Sequence, residues 1–143
     1  MYESHLYKQL KKDQRFSKQV DEIITSDSCQ IDPSFLGFSD TYRYLAKIID
    51  EDWTIIDLGC NNCTQAFYFL KHERYIGVDI SDCLKLETPN VIFYKESIKE
   101  FIEKHKRLIE APRTFAICNY VPCWGEERRL IQKSFKNLYI YYP

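Results

Sequence analysis

Glycine and proline are scarce in this chain, with four and five among 143 residues. Each therefore carries information about where the backbone turns. No internal repeat and no low-complexity tract is present. A basic excess is also missing: 20 Lys and Arg face 21 Asp and Glu, a formal net charge of −1. That balance argues against a general polyanion binder, which needs a basic surplus or a basic face. No apolar run approaches the roughly 18 residues of a membrane span. The start, Met1-Tyr2-Glu3-Ser4-His5, lacks the basic-then-apolar layout of a secretory leader. A cytoplasmic location is expected, with Cys29, Cys60, Cys63, Cys83, Cys118 and Cys123 reduced. The chain is too well supplied with apolar residues to need a disulfide framework.

What is present suits one packed domain. Hydrophobic residues make up 45% and aromatics 15%, enough for a proper core. The length leaves no room for a second sizeable domain. We divide the chain into an N-terminal helical extension over 1–38 and a core over 39–143.

Residues 3–25 place Leu6, Leu10, Phe16, Val20, Ile23 and Ile24 at mostly three- and four-residue spacing. This pattern predicts one or two amphipathic helices. Lys8, Lys11, Lys12, Arg15 and Lys18 make them basic, a solvated face that could steer an anionic partner. Ser39 or Asp40 is placed to cap a helix over about 40–50. Short apolar runs then predict strands at 53–58, 75–80, 91–94, 115–118 and 138–141. Helices are expected at 64–72, from Ser97 through Ile109, and at 126–135. Ser97-Ile98-Lys99-Glu100 has the form of a capping box. Strands alternating with helices imply βαβ units and an α/β, doubly wound, mostly parallel sheet. The expected strand order is 3-2-1-4-5.

Ligands of such sheets bind beyond the carboxyl ends of the strands, where the winding reverses. The loops there are Gly59-Cys60-Asn61-Asn62-Cys63-Thr64 and Asn119-Tyr120-Val121-Pro122-Cys123-Trp124. Gly59 permits a sharp exit from the first strand and close approach of a ligand. Asn61 tolerates left-handed backbone. Asp79, twenty residues after Gly59, ends the second strand, where an acid can accept hydrogen bonds from ribose hydroxyls.

Asp57-Leu58-Gly59-Cys60-Asn61-Asn62-Cys63, followed by Tyr75-Ile76-Gly77-Val78-Asp79-Ile80, resembles the class I S-adenosylmethionine (SAM)-dependent methyltransferases over roughly residues 40–142. The resemblance implies a Rossmann-like core, SAM as cofactor and methyl transfer to an acceptor that the residues do not name. It also implies that Asp57 helps fix the amino-acid end of SAM, usually through water or a backbone turn. Gly59, Asn61 and Cys63 stand at the three glycine positions of the first motif. Ser97 stands where the family carries an acid for the adenine, and Ile80 or Ile98 would sandwich the ring. Asn119 and Tyr120 fall where acceptors are held, with Trp124 available for stacking. Phe38, Tyr42 or Arg43 would lie over the methionine end. A second reading is a methyltransferase-like binding or regulatory protein without catalysis, acting through a partner.

Full-length family members carry two further strands after the fifth. Leu138-Tyr139-Ile140-Tyr141 is therefore expected to be an uncharged sheet edge. A homodimer, a partner protein or the N-terminal helices would cover it. Cys60, Cys63, Cys118 and Cys123 gather in the two switch-point loops. We read them as small apolar side chains and expect no metal. His5, His72 and His105 lie in polar stretches and are expected at the surface.

Overall fold

A computed structural model describes residues 38–61, 64–82, 90–119 and 121–141. The expected helices over 3–25, and Tyr120 and Cys63, lie outside the described residues. Helix α1 (Phe38–Ile48) leads into β1 (Thr54–Leu58), followed by a short 3₁₀-helix (Thr64–Phe69) and β2 (Arg74–Asp79). Then come β3 (Val91–Lys95), α2 (Ile98–Lys104), α3 (Lys106–Glu110), β4 (Thr114–Asn119), α4 (Gly125–Ser134) and β5 (Leu138–Tyr141). The five strands form one sheet in the order β3-β2-β1-β4-β5, and every pairing is parallel. This is the α/β architecture and strand order that the sequence predicts.

Side chains of a strand alternate between its two faces, and the core divides accordingly. Ile55, Tyr75 and Ile117 point to one face, where Tyr42, Leu45, Phe67 and Phe69 pack. Ile56, Ile76, Ala116 and Cys118 point to the other, against Phe101, Ile102, Ile131 and Phe135. The central strands are thus buried on both sides, which explains their continuous apolar runs. Among the described residues no helix is long and apolar enough to cross a membrane.

Three helices differ from expectation. Helix α1 begins at Phe38, so Ser39 and Asp40 lie inside its first turn and neither caps it. The segment predicted as a helix over 64–72 is a 3₁₀-helix ending at Phe69. Gln65, Ala66, Phe67 and Phe69 are all buried. The helix expected to run from Ser97 through Ile109 breaks at His105, whose φ of −120° and ψ of 42° leave the helical region. Its ring packs 4.4 Å from Tyr94 and 4.8 Å from Phe101. Its Nε2 faces Glu96 Oε2 at 3.2 Å. The capping box is present: Glu100 N donates to Ser97 Oγ at 3.1 Å, and Ser97 N donates to Glu100 Oε1 at 3.4 Å.

His72 corrects another expectation. It is 4% exposed, with Nε2 donating to the Ile49 carbonyl at 2.9 Å and the ring edge-on to Phe69. A carbonyl left over at the end of α1 supplies the polar partner that makes burial tolerable.

Candidate functional site

The C-terminal ends of β1, β2 and β4 bring the two acids and the two switch-point loops together. Asp57 lies one residue from the end of β1, opposite Gly77 of β2 and Ile117 of β4. It is fully buried. Three donors from three elements converge on its carboxylate. Tyr42 of α1 donates to Oδ1 at 3.0 Å. Gln65 Nε2 and Tyr75 of β2 donate to Oδ2 at 2.8 and 2.5 Å. The group acts as a staple, tying α1 and the 3₁₀-helix to the sheet. Burial pushes its pKa up to about 6 from 3.8, although the hydrogen bonds from Tyr75, Gln65 and Tyr42 pull the other way. Burial, reinforced by the Asp57 carboxylate, raises the Tyr42 phenol well above its usual range.

The loop after β1 then folds over the end of β2. The amides of Gly59 and Cys60 both donate to the Val78 carbonyl, at 2.7 and 3.0 Å. Gly59 has φ +71° and Asn61 φ +54°, so both supply the left-handed backbone expected of them. Gln65 Nε2 holds the turn from below through the Cys60 carbonyl at 2.7 Å. A Cβ at residue 59 would collide with Cγ2 of Val121. Glycine is therefore required twice, for its φ and for its missing side chain. The same contact places the loop after β4 directly against the loop after β1.

Asp79 presents a different environment at the end of β2. Asn61 N donates to its Oδ2 at 2.8 Å. Ser81 donates to Oδ1 from its amide at 2.9 Å and from its hydroxyl at 2.5 Å. Burial alone would raise this pKa. Hydrogen bonds from Ser81, Asn61 and Ile80 outweigh it and hold the carboxyl below its usual range. Asp79 is thus an ionised, partly exposed acceptor at the sheet's rim. Ile80 beside it is 72% exposed.

The remaining predicted residues separate into two groups. Asn119 is buried at the end of β4, in register with Tyr141 of β5. Ser97 uses its oxygen to cap α2. Ile98 packs against the second core cluster, which leaves Ile80 as the exposed apolar side chain of the two. Tyr42 is spent on Asp57, and Arg43 lies 6.0 Å from the centroid of the Tyr68 ring. Trp124 is 67% exposed just before α4. Cys60, Cys118 and Cys123 are buried free thiols. Burial and the neighbouring Cys123 push the Cys118 thiol up. No metal-holding group of His, Cys, Asp and Glu occurs among the described residues.

Gln65, Tyr75, Ser81 and Val121 were not among the predicted site residues. Two carried signals. Gln65 is the one amide in an otherwise apolar run, and a polar residue on a buried face needs a partner. Ser81 stands two residues after an aspartate, the spacing of a side-chain turn. No family model, no curated protein and no solved structure matches the chain.

Proposed function

We propose that the chain is a SAM-dependent methyltransferase that holds the nucleoside of its cofactor at the carboxyl ends of β1 and β2. The observation that carries this reading is the rim carboxylate of Asp79. It is ionised, partly exposed and braced by the amide of Asn61 in a left-handed turn. It stands beside the point where the winding of the sheet reverses between β1 and β4. Asp79 would accept from the ribose hydroxyls, and the exposed Ile80 would cover one face of the base. The backbone of 59–61 would line the crevice. Asp57 carries no direct contact in this scheme: sealed by three donors, it fixes the loop rather than the amino-acid end.

Bound SAM would supply an electrophilic methyl on a sulfonium, passing it to an acceptor lone pair while the sulfur leaves as a thioether. The chain's own contribution is placement, which suffices for an in-line displacement. Asn119, Tyr120 and Trp124 are the acceptor-side candidates. Calorimetric titration with SAM and S-adenosylhomocysteine tests the reading. Wild type should bind both, and Asp79→Ala should bind neither. Wild-type heats indistinguishable from dilution would reject it.

A binding module without catalysis is favoured by one observation: Val121 packs on Gly59, filling space that a ligand would approach. Such a module keeps its partner in Asp79→Ala. We propose that the outer edge of β5 is covered by the N-terminal helices, a second copy or a partner protein. The three buried free thiols support a reducing compartment such as the cytoplasm.

A further inference from the structure

We infer that Ser81 is a built-in competitor for the sugar-binding carboxylate and sets how strongly the site grips a ribose. The inference rests on the nucleoside reading of Asp79. A carboxylate offers about four lone-pair positions. Asn61 N takes one at Oδ2, Ser81 N and Ser81 Oγ take two at Oδ1, and the Ile80 amide adds a further hydrogen bond. Three of these donors are backbone amides, fixed by the path of the chain. Ser81 Oγ alone hangs on a rotatable side-chain bond, and Ser81 is exposed.

A hydroxyl is also what a ribose presents. An arriving sugar therefore replaces one O–H donor with another of the same kind. The protein is competent only in the fraction of molecules whose serine has rotated away. Apparent affinity is reduced by that fraction. The discrimination is chemical: the masked position takes a hydroxyl donor, so the penalty falls on ligands with an intact 2′,3′-diol. A ligand lacking the diol has no use for the position and meets no competitor.

The test is titration of wild type, Ser81→Ala and Ser81→Thr with S-adenosylhomocysteine, adenosine and 2′,3′-dideoxyadenosine. Ser81→Ala should bind the first two about threefold to tenfold tighter than wild type. Ser81→Thr, which keeps the hydroxyl, should match wild type. Dideoxyadenosine, which offers Asp79 no hydroxyl, should bind all three proteins equally weakly. Unchanged or weaker adenosine binding by Ser81→Ala overturns the inference, as does an equal gain for dideoxyadenosine. Wild-type binding that survives in Asp79→Ala rejects the nucleoside reading at Asp79, and the inference with it. Binding lost in Asp79→Ala but unimproved in Ser81→Ala leaves that reading intact and sinks only the competitor role.

Discussion

Asp57 and Asp79 end neighbouring parallel strands and differ in almost everything else. Asp57 is sealed among two phenols and an amide side chain. Asp79 stands at the rim, hydrogen-bonded to backbone amides and one serine. Burial dominates at the first and pushes its pKa up to about 6. Hydrogen bonds dominate at the second and pull its pKa down. A carboxylate's character is set by what surrounds it: one strand-end acid is sealed into the fold and the other is left partly open at the rim.

The sharpest way to break this contrast is to delete each acid in turn. Asp57→Ala leaves the Tyr42 and Tyr75 hydroxyls and a Gln65 amide hydrogen buried without their acceptor. Unsatisfied buried donors are costly, so the variant should lose about 3–5 kcal/mol in urea denaturation. Asp79→Ala removes an acceptor that water can replace, and its loss should stay within about 1 kcal/mol. Equal losses from the two variants would erase the distinction between staple and clasp.

The turn between the acids gives the next effect. Gly59→Ala puts a Cβ at φ +71° and against Val121. Backbone strain and overpacking together predict a loss of about 2–4 kcal/mol. Adding Val121→Ala should recover the steric share and leave the backbone share, because the two residues touch and their effects cannot be independent. A double variant no better than Gly59→Ala would mean that the loops do not pack as described.

The chain's local chemistry displays the scaffold more openly than the site. Apolar runs such as Ile55-Ile56 and Tyr75-Ile76 reveal strands because both faces of a central parallel strand are covered. Ser97 and Glu100 reveal a helix start because their bonds are local. Asp57's partners stay hidden because Tyr42 and Tyr75 lie 15 and 18 residues away, and only the folded sheet brings them together. His72 reads as a surface residue because its neighbours Lys71 and Glu73 are exposed. Its burial depends on the Ile49 carbonyl, 23 residues distant. Val121 over Gly59 is likewise a contact between loops that the strand order alone makes adjacent.

A further comparison sets Asp57 against His72 in the pH dependence of stability. Asp57's pKa is raised, so its protonated form favours folding. That contribution is complete below the ordinary 3.8 and is lost as pH rises through about 6. Two units of difference correspond to a change on the order of 3 kcal/mol. His72's pKa is lowered from 6.5, because burial outweighs the Ile49 carbonyl and Glu51. Its neutral form favours folding, so its contribution is present above 6.5 and is lost as pH falls. The two slopes oppose each other below pH 6.5 and flatten the wild-type profile. His72→Gln keeps a donor for the Ile49 carbonyl but cannot titrate. The variant's urea midpoint, relative to wild type, should therefore rise steadily as pH is lowered from about 7 to about 5. A difference that stays constant across that range would show that His72 is not held neutral by its surroundings. The wild-type profile would then have to rise on acidification through Asp57 alone.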